Sequence, residues 1–321
     1  MARLFFGKSL RRSYDRSAVL RNCMWLLEAM LIALFWGFCA LLPVDRASRM
    51  GRRFMQFIGP RTHKNRQVML NLAIMFPKKT ESERLEIARG IWANFGATFA
   101  EYPHLDCIIH RQAEQRIRVA GQAYLSPYIN AGKPVIFATA HLANWEIPGS
   151  PIIRAGIPAT AVYSPQQNPF VEWMMQRMRR AIRGRYVRKD AGIRQLYRVL
   201  AANGALVILP DQRVERGKAV PFFGVDADTT DSPARLALKY HCDLVPVRIE
   251  RLEDAHFRAT FYPPLQVTDD SLTTQAQALQ LTRSLNALFE SWIRERPQEW
   301  LCVKRRWPKQ RGAKVPFHQE R

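Results

Sequence analysis

Val135-Ile-Phe-Ala-Thr-Ala-His141-Leu-Ala-Asn144-Trp-Glu146 is the stretch on which the fold reading turns. An apolar, partly β-branched run follows Gly132 and Pro134 and reads as a buried strand. It stops at His141. Asn144 is then a candidate helix N-cap, with Glu146 in the first turn, where negative charge is favoured. The short turn between can fold Glu146 back toward the imidazole. A carboxylate on one ring nitrogen fixes the tautomer and raises the basicity of the other, which can then act as a general base toward an alcohol. The plain alternative is a structural histidine at a strand end and a solvated glutamate on a helix start.

Outward from this stretch the period alternates. Strands are expected at 135–140, 159–163, 185–188, 205–210, 244–250 and 257–262, and helices at 145–155, 169–183, 191–203, 231–241 and 273–295. This pattern implies an α/β fold with a mostly parallel central sheet flanked by helices. Ligands in such sheets gather at the carboxyl ends of strands. His141 and Asp211 both follow a strand end and are expected to share one cleft. Upstream, residues 62–110 read as helical, with Thr80-Glu-Ser-Glu83 as a capping box. Residues 119–131 read as a strand, a turn at Gly121 and a helix.

The chain has 321 residues, 47% of them hydrophobic, enough for a full core. Lys+Arg number 49 against 27 Asp+Glu, giving +22, a field that favours anionic partners. The five cysteines, Cys23, Cys39, Cys107, Cys242 and Cys302, are scattered with no Cys-x-x-Cys pair. That argues against a disulfide framework and a zinc site. A basic arm leads into an apolar run at 23–42, about one membrane thickness if helical. Both flanks are basic, so both read as cytoplasmic. That favours a helix dipping into or lying along the inner leaflet over a span, with topology open. The expected division is 1–45, basic N-terminus and membrane-anchoring helix, and 46–321, a single domain. The latter comprises a helical part at 46–118, an α/β core at 119–310 and a basic tail at 311–321.

Three further stretches carry candidate chemistry. Leu206-Val-Ile-Leu-Pro-Asp211-Gln212-Arg213 ends a strand in polar groups and runs through Arg216 and Lys218 into Val220-Pro-Phe222-Phe223. Cations beside an apolar wedge suit a ligand with a phosphate head and a hydrocarbon tail, or the wedge is a core plug. Tyr163 to Phe170 is a turn-rich link into a helix bearing Arg177, Arg179, Arg180, Arg183 and Arg185, a phosphate or carrier-protein face or a solvated one. Glu299 to Trp307 alternates Trp with cations, as nucleic-acid patches and membrane interfaces do. Walker A, Gly-x-Ser-x-Gly, His-Glu-x-x-His and Rossmann glycine motifs are absent, so ATP, serine-hydrolase, zinc and dinucleotide chemistry lose weight.

Together these pieces resemble the bacterial lipid A biosynthesis (lauroyl/myristoyl) acyltransferases of the lysophospholipid acyltransferase superfamily, over roughly 20–310. His141-Leu-Ala-Asn-Trp-Glu146 is similar to the superfamily's His, four residues, Asp/Glu signature. Arg66, Asn71-Leu72 and Phe76-Pro77 match the upstream pattern of the lipid A branch. Asn168-Pro169 with Glu172-Trp173, then Asp211-Gln212, Val220 to Gly224 and Lys304 to Trp307 follow in order. The resemblance implies transfer of a fatty acyl group from acyl carrier protein to a hydroxyl of a lipid A precursor. It implies an enzyme without metal or cofactor, at the bacterial inner membrane with its catalytic domain on the cytoplasmic side. Its partners are the carrier protein and an anionic lipid acceptor, not nucleic acid. His141 and Glu146 take the catalytic roles; Asn168, Asp211, Gln212, Arg213, Lys218, Phe222 and Phe223 are expected at the substrate. Many members carry an Arg before the Asn-Pro where this chain has Ser164, with Arg213 or Lys189 as candidate substitutes. The rival readings are the same chemistry on a lysophospholipid, ornithine lipid or glycolipid, and a non-enzymatic binder of anionic lipid or nucleic acid.

Overall fold

The computed structural model describes residues 17–308 apart from Arg216. The basic arm before residue 17, the tail after 308 and the Arg216 expected in the basic loop lie outside the described residues. Four long helices come first: α1 Ala18–Leu41, α2 Val44–Ile58, α3 Asn65–Met75 and α4 Glu81–Glu101. The capping box at Thr80 and Glu83 opens α4 as expected. A single turn, α5 Ala113–Arg116, leads into β1 Ile117–Ala120. The alternating core follows: β2 Val135–Ala138, α6 Gly149–Arg154, β3 Ala159–Tyr163, α7 Pro169–Arg179, β4 Arg185–Arg188, α8 Ile193–Ala201 and β5 Ala205–Ile208. A hairpin of β6 Lys218–Phe222 and β7 Val225–Thr229 precedes α9 Ser232–Lys239, β8 Asp243–Arg251, β9 Phe257–Phe261 and α10 Thr274–Glu295.

Seven strands form one sheet in the order β1-β9-β8-β2-β5-β3-β4. Every neighbouring pair is parallel except β8–β9. The central strands β2 and β5 are buried at every residue, which is why they read as unbroken apolar runs. The sheet separates two cores: Ile136, Leu206 and Leu244 pack beneath α10 and α4 on one face, and Phe137, Val207, Val245 and Phe257 face the other.

Three expectations are corrected. The helix expected from 145 begins only at Gly149, because Pro148 disfavours helical geometry at the residue before it. Asn144 therefore caps a turn, its Oδ1 accepting from Glu146 N at 3.1 Å. The helix expected after Gly121 is two 3₁₀ turns, Gln122–Tyr124 and Ser126–Tyr128. The Val220–Gly224 wedge is half of the β6–β7 hairpin, which no strand reading anticipated. Its turn residues Phe223 and Gly224 both have positive φ, 54° and 72°.

Helix α1 is long and apolar enough to cross a membrane. One stripe, Ala29, Ile32, Trp36 and Cys39, is buried: the first three pack with Tyr102, Leu105, Val171 and Met175, and Cys39 packs with Ala47 and Ala100. The Trp36 indole donates to Phe99 O at 2.7 Å. Its other face exposes Leu27, Leu31, Leu34 and Phe38. Helices α2 and α4 cross at Gly51 and Gly96, so closely that a Cβ on Gly96 would lie 2.1 Å from Gly51 O.

Candidate active site

Strands β2 and β5 are parallel neighbours in register, Ala138 opposite Ile208. Residues three beyond each strand end, His141 and Asp211, thus arrive side by side. His141 Nδ1 lies 2.7 Å from Asp211 Oδ1, and the His141 backbone N–H donates to Asp211 Oδ2 at 3.1 Å. The Trp300 indole donates to the same Oδ2 at 2.8 Å, and Leu301 N–H to His141 O at 2.9 Å. Asp211 is buried while the imidazole is partly open. Burial alone pushes the Asp211 carboxyl up; the His141 charge, the hydrogen bonds from His141 and that from Trp300 outweigh it and hold the group below its ordinary value. The carboxylate occupies Nδ1, leaving Nε2 for another partner.

The backbone around His141 is held tightly. Leu142 N–H donates to Ala140 O at 2.7 Å, and Ala143 sits at φ 47°, in the left-handed region. Asn94 and Thr98 of α4 both donate to Ala143 O, at 2.9 and 3.0 Å. Asn144 Nδ2 reaches Glu101 at 2.8 Å, and Glu101 is in turn paired with the buried Arg251. A buried charge pair with its remaining donors satisfied resists displacement.

Glu146 is not hydrogen-bonded to His141. Its oxygens take Arg179 Nε at 2.8 Å and Nη2 at 2.6 Å, and the Tyr102 hydroxyl donates to it at 2.5 Å. With the helix delayed to Gly149, the backbone at 145–148 turns the glutamate toward α4 and α7 instead. Burial pushes its carboxyl up, but the Arg179 charge and hydrogen bonds, with Tyr102 and the more distant His141, hold it low. Arg179 also sits over the rings of Tyr163 and Tyr186, at 5.5 and 5.9 Å. Its buried Nη1 has no hydrogen-bond partner among the described residues. Sequence reasoning left Arg179 in a charged stretch. The available signal was its place in an i, i+4 buried stripe, Val171, Met175, Arg179.

His141, Glu146 and Arg179 line one cleft of about 890 Å³ at the carboxyl ends of β3, β4 and β5. Its lining includes the apolar side chains Ile153, Ala161, Val162, Ile182, Ile193 and Leu196. Lys64, Arg188, Lys189 and Lys304 also line it. This is room for a hydrocarbon chain beside anionic groups.

The other expected site residues divide. Gln212 and Arg213 line the cleft, Gln212 donating to Leu301 O at 3.1 Å and Arg213 pairing with Asp228 at 2.9 Å. Ser164 lines it too, and so does Lys189. Asn168 faces away: its Oδ1 caps α7 at Phe170 N, 3.0 Å, while Nδ2 ties α7 to α1 through Trp25 O and Glu28. Lys218 is exposed on β6, outside the cleft walls. Phe222 and Phe223 are core: Phe222 stacks on Trp307 at 5.7 Å and meets Trp300 edge-on at 5.8 Å. Trp300, Arg306 and Trp307 are likewise buried, so their stretch is packing and not an open patch. Arg306 donates to Thr229 Oγ1 at 2.6 Å beneath Phe222, and burial pushes its guanidinium down to about 10.

Residues 17–309 match the profile of the bacterial lipid A biosynthesis acyltransferases. A lipid A biosynthesis acyltransferase of Haemophilus influenzae is 22% identical over 82% of this chain and 82% of its own. The lipid A biosynthesis myristoyltransferase of Escherichia coli K12 is 24% identical, over 74% and 73%. The phosphatidylinositol mannoside acyltransferase of Mycolicibacterium smegmatis is 22% identical, over 75% and 79%. With a match that runs through nearly the whole described fold, the chain belongs to the bacterial lipid A biosynthesis acyltransferase family and is an acyltransferase.

Proposed function

We propose that the protein transfers a fatty acyl group from an acyl carrier protein thioester to a hydroxyl of a lipid A precursor, with His141 as general base. The observation that carries this reading is the His141–Asp211 pair, 2.7 Å apart, opening on an apolar, cation-lined cleft. Asp211 fixes the imidazole with Nδ1 bound. His141 Nε2 takes the proton of the acceptor hydroxyl as its oxygen attacks the thioester carbonyl carbon. Collapse of the tetrahedral intermediate breaks the C–S bond, and the imidazolium returns the proton to the departing sulfur. Arg179, fixed by Glu146, is the candidate cation for the charge that gathers on the carbonyl oxygen. Glu146 thereby acts through Arg179 and not as the partner of His141.

The acceptor is a membrane lipid, and the surface suits one. Besides α1, Phe54 and Phe57 of α2 and Phe170 and Trp173 of α7 are exposed. Arginines lie over three aromatics of this region, Arg21 on Trp25, Arg61 on Phe57 and Arg177 on Trp173. Apolar side chains among cations fit the interface of an anionic leaflet. We assign α1 to lie along the inner-membrane leaflet with the cleft on the cytoplasmic side, since its other face is packed on the protein.

Purified protein given an acyl carrier protein thioester and a lipid A precursor is expected to yield the acylated product by mass spectrometry. His141→Ala is expected to lower turnover by about 10²–10⁴-fold, the usual scale of a general base. Normal turnover in that variant removes the mechanism. A second acceptor class, a membrane glycolipid outside lipid A, is favoured by the mannoside acyltransferase among the relatives. Lipid mass spectrometry of a deletion strain separates the two: either lipid A loses a chain or another lipid changes.

A further inference from the structure

Between residues 177 and 198 the chain carries nine cations against one carboxylate, Asp190. Arg179 is spent on Glu146, Arg188 on Asp190 and Arg177 on the Trp173 ring. The remaining six, Arg180, Arg183, Arg185, Lys189, Arg194 and Arg198, are exposed and make no ion pair among the described residues. They lie together because β4 is the outermost strand of the sheet and runs through a single turn into α8. Charges on an outer strand keep it from pairing with other sheets, which accounts for Arg185. It does not account for Arg194 and Arg198, four residues apart on the open side of a helix. Like charges held this close repel one another, and an anionic partner relieves that repulsion.

Two observations choose the partner. Arg185, Arg188, Lys189 and Ile193 line the same cleft as His141, so whatever sits on this ridge stands at the mouth of the site. And the ridge is not built like the α1–α2–α7 surface, where exposed aromatics accompany the arginines. Among the described residues between 177 and 198, Ile193, 44% exposed, is the one large apolar side chain open to solvent. A bilayer would need several to insert, whereas an acidic protein surface needs charge and one apolar anchor.

We propose that the β4–α8 ridge is the docking surface for the acidic carrier protein that presents the acyl thioester, a placement that rests on the carrier-protein donor proposed above. The docked carrier's arm passes Lys189 and Ile193 to bring the thioester to His141. Electrostatic steering then acts on the encounter with the donor and not on the chemical step.

The test compares two donors with the full chain: lauroyl-acyl carrier protein, and lauroyl-pantetheine, which has the arm but no acidic surface. Arg194→Glu/Arg198→Glu, both outside the cleft walls, is expected to lower kcat/KM for the carrier-protein donor by about tenfold or more at low salt. The loss shrinks as salt rises, and turnover of lauroyl-pantetheine stays within about twofold. Arg194→Lys/Arg198→Lys keeps the charge and is expected to retain the carrier-protein rate. Equal effects on both donors, or no effect on either, overturn the ridge while leaving the donor reading intact. A wild-type enzyme that uses lauroyl-pantetheine but not the carrier protein removes the donor reading and the ridge with it. Loss of binding to anionic vesicles with an unchanged carrier-protein rate assigns the ridge to the membrane and also overturns the proposal.

Discussion

At position 141 the imidazole has two acids within electrostatic reach, and backbone geometry decides between them. The β2–β5 register carries Asp211 to Nδ1, whereas Pro148 turns Glu146 toward Arg179. From the sequence, a histidine and an aspartate, each just past the end of a strand, were both legible; the structure puts the imidazole in the cleft wall and buries the aspartate behind it. Which acid faced which base was not legible, because that depends on strand order, and β2 and β5 lie about seventy residues apart. The buried pairs carry their own predictions. Glu146→Gln leaves the Arg179 guanidinium buried without its counter-charge, an expected cost of about 3–5 kcal/mol in urea unfolding. A variant as stable as the parent removes Glu146 from that structural role. Asp211 and Glu146 both have folded pKa values below their ordinary ones. Each unfolded carboxylate binds its proton first as pH falls. Their stabilisation is therefore complete above the ordinary carboxylate range, about pH 4, and lost as pH falls through the lowered values. Thermal melts from pH 7 to pH 3 are expected to show this decline, with a shallower slope in Glu146→Gln.

Elements whose signal is local were readable one by one. Strands β3 and β4 match their expected limits, and α10 differs from expectation by one residue, because apolar period, capping threonines and bounding turns all lie within the segment. The β6–β7 hairpin was not readable: Pro221 argues against a strand, and Phe223-Gly224 lacks the Asn-Gly or Asp-Gly pair that marks such a turn. Of the two readings of the wedge, its placement favours the core plug: its phenylalanines close the core against Trp307. Two stretches that carried the family resemblance meet here: Asn71 donates to Cys302 O at 2.7 Å and Lys304 O at 2.8 Å. That bond anchors the segment that carries Trp300 to Asp211. The α2–α4 crossing is likewise set by tertiary contact, at Gly51 and Gly96. Gly96→Ala puts a methyl group into the facing backbone, which cannot rotate away, and is expected to cost about 1–3 kcal/mol by chemical denaturation. No loss would mean that the two helices pack less tightly than described.

On the scale of the whole molecule, the basic ridge at the sheet edge and the strand ends bearing His141 share one cleft, while the apolar face with arginine-covered aromatics lies on α1, α2 and the amino end of α7. The net charge of +22 favours anionic partners without separating them; the partner assignments proposed above rest on the placement of cations beside or away from exposed aromatics. Phe170→Ser/Trp173→Ser, at the amino end of α7, is expected to weaken co-sedimentation with anionic vesicles by about tenfold while leaving the fold intact. Unchanged sedimentation would confine membrane contact to α1 and α2. The central claim is that Asp211 orients the imidazole that activates the acceptor hydroxyl. Single-turnover acyl transfer by folded Asp211→Asn protein, with acyl thioester and acceptor both saturating, tests it most directly. The expected result is a rate lowered by about 10²–10⁴-fold with binding of both substrates retained; an unchanged rate would contradict it.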